Sequence, residues 1–246
     1  MRGWFFLLLA TLSATEYAPW LTRQLEIVPT ATFGCQDTDP YAAFSVLMPK
    51  DKWSAELEFE TAKTHYRSWT PSDLKGTLRL EFSSDILDDP YALIAGFSLA
   101  KVFRPARKDP TFIFPGGLEG ELSLSIGREK TCANTWDSRW WLMGAFGRAD
   151  QGSPWLRLNG SYEWNCEPHF LALVAYSRCG LGSHHWKPFH GYGSVAYRLL
   201  DLGARYTYRT DSDLLVSLEY TYRIWAHNTF QDVNRIALSL SYPFGL

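Results

Sequence analysis

Apolar and polar side chains alternate with a period of two along most of the chain, the pattern of β-strands with two unlike faces. Trp53, Leu57 and Phe59 share one such face, whereas Glu56 and Glu58 lie on the other. The alternation runs for about ten residues at a time, the length that a tilted strand needs to cross a lipid bilayer. Because helical periodicity is hard to find after the N-terminal segment, the chain is predicted to be all-β.

Twelve strands are predicted, an even number that brings both ends of a barrel domain to the same rim. The tenth strand changes its apolar parity between Leu199 and Ala204, so we place a β-bulge at Leu200–Asp201. A turn at that point would instead make the count ten or fourteen. The predicted strands are 23–33, 41–48, 52–65, 74–84, 90–103, 117–127, 138–149, 154–164, 168–178, 191–209, 213–226 and 234–244.

Short and long connections alternate between these strands. The short ones are turns rich in Asp, Asn and Pro, and they lie at 49–52, 85–90, 165–169 and 210–213, with a longer member at 128–137. The longer ones carry aromatic or histidine side chains and lie at 34–40, 66–73, 104–116, 180–190 and 227–233, with a shorter member at 150–154. Short turns on one rim and longer loops on the other are typical of an up-and-down transmembrane β-barrel.

The composition favours a membrane barrel over a helical membrane protein. The chain is 46% hydrophobic and 16% aromatic, yet its mean hydropathy is only −0.20. Half of each barrel strand faces a polar interior, and Trp and Tyr form girdles at the membrane interfaces, which reconciles the two values. Residues 1–14, with Arg2, an apolar core over 4–12 and Ala14, are predicted to be a cleavable signal peptide, which leaves 15–246 as one barrel domain.

The last strand carries Ile236, Leu238, Leu240, Tyr242 and Phe244 on one face. With its terminal aromatic it resembles the C-terminal signal of bacterial outer-membrane β-barrel proteins, although Gly245 and Leu246 follow the aromatic here. The resemblance, porin-like and of pattern only, implies export to the outer membrane of a Gram-negative cell, contact with its lipid, and assembly by the barrel-assembly machinery through this strand. The alternative fold is an exported soluble β-sandwich, which would bury the same apolar face.

In a barrel with its apolar face turned to lipid, the charged faces of the strands line the lumen. Acidic candidates concentrate on the early and middle strands and arginines on the later ones, an arrangement that suits a narrow pore for small polar or charged solutes. The alternative is that these groups pair into a salt-bridged plug. If 66–73 is a loop, Glu60 lies beside Arg79 and Glu58 near Glu81. The predicted pore-lining residues are Glu56, Glu58, Glu60, Arg79, Glu81, Glu119, Glu121, Arg139, Arg157, Glu163, Arg205, Glu219, Arg223 and Arg235.

A second class of function rests on the loop that carries Ser183, His184, His185 and His190. A histidine could activate the Ser183 hydroxyl as a general base, as in a lipid hydrolase, but adjacent residues of one loop lack the fixed geometry that such a pair needs. The three histidines are also weak candidates for a Zn²⁺ or Cu²⁺ site, because no companion ligand stands at a metal-binding spacing. No catalytic residue, metal or other cofactor is therefore predicted.

Four cysteines fall in matching pairs of connections. Cys132 and Cys166 lie in predicted short turns, and Cys35 and Cys179 in predicted long loops. In an exported protein the expected disulfides are 132–166 and 35–179, the first favoured because its turns are two strands apart.

The sequence thus predicts a narrow porin-like channel for small solutes. The runner-up is a non-conducting structural or adhesin-type barrel, whose loops 104–116 and 180–190 either hold a partner or fold inward. A net charge of −2 gives no basic surplus for nucleic acid. The oligomeric state is left open.

Overall fold

The computed structural model describes residues 18–21, 25–35, 40–64, 67–87, 89–107, 112–132, 135–183 and 192–244. These residues form twelve antiparallel strands, each paired with its neighbours in sequence, and β1 pairs with β12 to close the barrel. The strands are β1 (Leu25–Cys35), β2 (Tyr41–Lys50), β3 (Trp53–Thr64), β4 (Arg67–Ser83), β5 (Ala92–Val102), β6 (Leu118–Cys132), β7 (Thr135–Ala149), β8 (Trp155–Cys166), β9 (His169–Gly180), β10 (Arg198–Arg209), β11 (Leu215–His227) and β12 (Asn234–Phe244).

The predicted all-β fold, strand number and alternation of connections are confirmed. One rim, called here the short-turn rim, carries the two ends of the barrel, the turns at 51–52, 167–168 and 210–214, and the connections of β4 to β5 and of β6 to β7. The long-loop rim carries most of the longer connections, including 103–117 with the one-turn helix α1 (Arg104–Arg107) and 181–197. Within the described ranges, no helix is long and apolar enough to cross a membrane.

The pairing of β10 with β11 shifts register between Leu200 and Asp201, at the predicted position, but the extra residue is Ile224 of β11. The pairing of β10 with β9 is unbroken there, so the predicted bulge in the tenth strand itself is wrong. The strand itself begins at Arg198, later than predicted. The change of apolar parity has another cause: odd-numbered residues face inward throughout β10, and Leu199, like Tyr197 before the strand, is an apolar side chain buried inside the barrel, whereas Tyr206 and Tyr208 face outward.

The predicted loop at 66–73 is wrong, because most of it belongs to β4. Strands β3 and β4 remain paired out to Thr64 and Arg67, with register shifts beside Glu60 and beside Ala62. Pro71 pairs at the first shift, where a missing backbone N–H is tolerated. The shorter connection slides the hairpin, so the predicted juxtapositions of Glu60 with Arg79 and of Glu58 with Glu81 are wrong as well.

Large apolar side chains cover the outside of the barrel. Leu57 and Leu78 are half-exposed, whereas their immediate neighbours on each strand, Glu56 and Glu58 on β3 and Thr77 and Arg79 on β4, are buried. A soluble sandwich would bury these side chains, whereas here they form a continuous lipid-facing belt. Other members of this belt are Phe97, Leu122, Leu124, Leu142, Phe146, Leu158, Leu173, Leu202, Leu218, Ile236, Leu238 and Leu240.

Candidate functional site in the barrel lumen

The candidate site is the inner surface of the barrel. Glu56, Glu58 and Glu60 are buried on β3 and alternate with the half-exposed Leu57 and Phe59 of the belt. The same alternation places each of the other charged candidates on the face opposite to the belt. These are Arg79 and Glu81 on β4, Glu119 and Glu121 on β6, Arg139 on β7, Arg157 and Glu163 on β8, Arg205 on β10, Glu219 and Arg223 on β11, and Arg235 on β12.

Glu163 is the centre of a charged cluster on the lumen wall. Its Oε2 atom accepts a hydrogen bond from Arg139 Nε at 2.7 Å, and its Oε1 atom accepts one from Arg205 Nη2 at 3.1 Å. The indole Nε1 of Trp141 also donates to Oε1, at 3.2 Å. The two arginines lie on β7 and β10, so one carboxylate of β8 ties three strands together.

A second group of ion pairs lies nearer the long-loop rim. Arg157 of β8 donates through Nη2 to Glu121 of β6, and the indole Nε1 of Trp155 donates to the same carboxylate at 3.2 Å. Arg178 Nη2 on β9 lies 4.0 Å from Glu119 Oε2 on β6. Each pair joins strands that are not neighbours, which only side chains on the concave face of a barrel can do.

The arginines of these pairs are more accessible than their carboxylates. The Arg205 side chain is 34% exposed and its partner Glu163 only 7%, and Arg157 is 20% exposed against 11% for Glu121. The carboxylates therefore lie behind the guanidinium groups. A solute inside the lumen meets cationic N–H donors first, and these groups recognise carboxylates and phosphates through paired hydrogen bonds.

The carboxylates of β3 are also poorly accessible from the lumen, but through other contacts. Glu58 lies opposite Lys75, and Glu60 lies opposite Asp73. Ser72, next to the register shift, donates through Oγ to Glu60 Oε1 at 2.9 Å. Glu56, Glu58 and Glu60 are all buried, so a solute in the lumen has little direct contact with the carboxylates of this wall. The structure thus combines the two alternatives: most of the acidic groups are paired or buried, while several arginines stay accessible.

Several lumen residues were not predicted. Arg178 and Asp201 carry ion pairs, and Arg223 Nε donates to Asp201 Oδ1 at 2.7 Å. Tyr176 donates through its hydroxyl to Glu219 at 3.1–3.2 Å. Arg178 shares the parity of Tyr176 on β9, so the alternation could have identified it. Asp201 shares the parity of Arg205 on β10, so the alternation could have identified it too, had no bulge been placed at Leu200–Asp201.

Loops of the long-loop rim fold over the outer end of the lumen. Tyr192, Val195 and Tyr197 form a buried cluster against Ile113, and Ile113 O accepts a hydrogen bond from Arg178 Nη1 at 3.0 Å. Of the two behaviours considered for the loops 104–116 and 180–190, segment 112–116 therefore adopts the inward one, and segment 192–197 packs with it. Residues 184–190 lie outside the described residues, so for the second loop the question stays open.

Asp150, in the loop between β7 and β8, fastens the start of β6. Its Oδ1 atom accepts hydrogen bonds from the backbone N–H groups of Gly117 at 2.8 Å and of Leu118 at 3.2 Å. These two bonds hold the pKa of the Asp150 carboxyl below its usual value, because they stabilise the ionised form.

The opposite end of the lumen contains residues 18–20, which precede β1. Ala18 packs against Trp141, Met143 and Ala145 on the inner face of β7, and Trp20 packs against the same cluster. These residues occupy space inside the barrel at the short-turn rim.

The predicted disulfides are wrong, because Cys132, Cys166 and Cys179 have free thiols. Cys132 ends β6 and Cys166 ends β8, with β7 between them. Two strand spacings are about 10 Å, beyond the roughly 7 Å limit between the Cα atoms of a disulfide. Cys35 on β1 and Cys179 on β9 are separated by β10, β11 and β12.

The remaining candidates lie largely outside the described residues. Ser183 is exposed just after β9, whereas His184, His185 and His190 fall outside the described ranges, as does the predicted signal peptide. The serine–histidine hypothesis and the metal hypothesis therefore stay predictions.

No family model matches the sequence, and no curated protein matches it. Solved structures of similar fold do exist. The NanC porin has a TM-score of 0.63 at 10% identity, covering 89% of this chain and 100% of that one. An outer-membrane channel from Pseudomonas putida F1 has a TM-score of 0.62 at 10% identity, covering 95% and 100%. The KdgM porin, in complex with disordered oligogalacturonate, has a TM-score of 0.58 at 10% identity, covering 89% and 99%. At this identity the likeness establishes the fold, that of outer-membrane porins.

Proposed function

We propose that the chain is a narrow outer-membrane channel that passes small solutes and prefers anions. The observation that carries the preference is the difference in exposure between Arg205 and Arg157 and their partners Glu163 and Glu121. A charge that faces the lumen acts on a passing ion at short range and with little screening, whereas a carboxylate behind a guanidinium is largely neutralised. The fold of the NanC and KdgM porins supports the channel part of this proposal.

The test is the reversal potential of the purified protein in a planar bilayer with a KCl gradient. We expect the sign of a Cl⁻-preferring pore, and we expect Arg205→Gln and Arg157→Gln each to move the potential toward zero. The matched control is Arg148→Gln, because Arg148 is exposed on the lipid-facing side of β7. A cation-preferring pore, or equal shifts for all three variants, would contradict the preference.

A second candidate is the non-conducting anchor. The observation in its favour is that segments 112–116 and 192–197 fold over one end of the lumen while residues 18–20 occupy the other. Steady current steps in the bilayer experiment would exclude it, and a silent wild type at every voltage would support it. The proposal gives the chain no catalytic role, and fatty-acid release that is lost in Ser183→Ala would overturn that part.

The proposal extends to assembly. β12 closes the barrel against β1, and Tyr242 and Phe244 form an edge-to-face pair near its end. We assign this strand the role of the signal read by the barrel-assembly machinery, following export by the predicted signal peptide. Loss of the folded protein from outer membranes on Phe244→Ala, with unchanged secretion into the periplasm, is the expected result.

A further inference from the structure

Residues 18–20 are packed into the short-turn end of the lumen through side-chain contacts. Ala18 and Pro19 are buried, and Ala18 contacts the cluster formed by Trp141, Met143 and Ala145. Within the described segment 18–21 there is no strand, so no ladder of backbone hydrogen bonds holds it. Its position therefore depends on a small number of side-chain contacts.

Trp20 supplies the polar contacts. Its indole Nε1 donates to Asp85 Oδ1 at 2.9 Å, and Asp85 lies in the turn between β4 and β5. The guanidinium carbon of Arg139 lies 4.9 Å from the centre of the Trp20 ring, a cation–π distance. Because Arg139 is on β7, the ring spans the gap between two separate parts of the wall.

The wall is shaped to receive the segment. Gly127 lies on the inner face of β6, and a Cβ atom at that position would stand 2.7 Å from Pro19 Cγ. A side chain there would collide with the proline and also with the wall itself, since the same Cβ would stand 2.7 Å from Trp140 O. The absence of a side chain at Gly127 and the burial of Met143 under Ala18 together form a fitted recess.

We infer that Trp20 is a latch that holds residues 18–20 across the short-turn end of the lumen, and that its release from Asp85 and Arg139 opens a wider passage. The inference rests on the proposed channel function for its consequence, but the position of the segment can be tested without any current. The latch is a conformational device because its contacts can break without breaking a strand pair of the barrel.

The first test is thiol labelling at a residue beneath the segment. In a variant with all four native cysteines replaced by serine, Met143→Cys is treated with a charged, water-soluble maleimide. We expect slow labelling while the latch is intact and labelling about tenfold faster or more after Trp20→Ala, because local release exposes the site. Ala145→Cys is a second reporter if Met143→Cys does not fold.

Two controls make this test specific. Ser239→Cys lies on the inner face of β12, away from the segment, and its labelling should not respond to Trp20→Ala. Trp164→Ala removes a half-exposed tryptophan from the lipid-facing side of β8, and it should not accelerate labelling at position 143. Equal rates with and without Trp20, at both reporter positions, would overturn the latch.

The second test is single-channel conductance. A twelve-stranded lumen lies in width between the filled eight-stranded barrel and the open sixteen-stranded porin. Release of residues 18–20 by Trp20→Ala should therefore raise the single-channel conductance by about twofold or more. Trp20→Phe keeps a ring over Arg139 but loses the donor to Asp85, and we expect an intermediate value. Faster labelling with no current in any variant would support the latch and refute the channel. Current that is unchanged, with unchanged labelling, would refute the latch and leave the channel.

Discussion

Replacing Glu163 by glutamine should destabilise the barrel and make its lumen more positive. The carboxylate accepts hydrogen bonds from Arg139 at 2.7 Å, Arg205 at 3.1 Å and Trp141 at 3.2 Å. Glutamine retains one acceptor oxygen, but its NH₂ group must face a donor, so at least one charge-assisted hydrogen bond is lost. The two arginines also lose the negative charge that offsets them.

The size of the effect follows from the type and the burial of these contacts. A hydrogen bond to a charged group contributes about 1.5–3 kcal/mol, and breaking a fully buried pair costs about 3–5 kcal/mol. The side chain of Glu163 is 7% exposed, but Arg139 and Arg205 reach water and can be partly resolvated. We therefore expect a loss of about 2–3 kcal/mol in the free energy of unfolding, below the fully buried value.

The assay is urea unfolding of the protein in detergent micelles, followed by tryptophan fluorescence and by the gel-mobility shift of folded barrels. The control is Glu167→Gln, because Glu167 pairs with Arg209 at 2.6 Å but both side chains are about half-exposed at the short-turn rim. An exposed pair contributes about 0–1 kcal/mol. A loss for Glu163→Gln no larger than that for Glu167→Gln would refute the assignment of Glu163 as the centre of the lumen cluster.

Three further outcomes can be checked on the same preparations. Gly147→Ala should cost about 1–3 kcal/mol in urea unfolding, because its Cβ would overlap the indole of Trp155, whereas Gly144→Ala, with open space around it, should cost little. Leu57→Arg on the lipid-facing belt should cost about 2–4 kcal/mol by the same measurement, and a neutral result would contradict the orientation of the strands. Ionised Asp150 stabilises the folded state at pH values above its unfolded pKa, and this stabilisation is lost as the pH falls through its lower folded pKa. The thermal stability of the protein should therefore fall below about pH 4. The fall should be smaller in Asp150→Asn.

The alternation of side chains predicted the faces of the strands because it is a local property. Glu56 and Leu57 differ in face whatever the register of their hairpin. The juxtaposition of Glu60 with Arg79 failed because register depends on where a hairpin turns. The segment around Pro71 has the composition of a turn, yet it forms a strand with a register shift.

Contacts across the barrel were harder to predict than faces. The shared rim of Cys132 and Cys166 was predicted correctly, but their separation by β7 puts the thiols too far apart. The position of residues 18–20 inside the lumen was missed for a related reason. Three residues are too few to show a periodicity, and the site that they occupy beside Trp141 exists only once the barrel has closed. Sequence patterns of this type locate a residue on an element, whereas packing inside a closed surface is decided by the whole fold.

The distribution of charge explains how a chain with a net charge of −2 can form an anion-preferring lumen. Selectivity depends on the charges that a solute meets, and carboxylates have shorter side chains than guanidinium groups. Glu121 and Glu163 therefore remain close to the wall, while Arg157 and Arg205 extend over them toward the axis. A wall with more acids than bases, here eight glutamates and six arginines among the predicted residues, can then still give a lumen whose accessible surface is cationic. A cation-preferring lumen would need exposed carboxylates that lie over less accessible lysine or arginine side chains. The Arg157–Glu121 and Arg205–Glu163 pairs have the reverse arrangement.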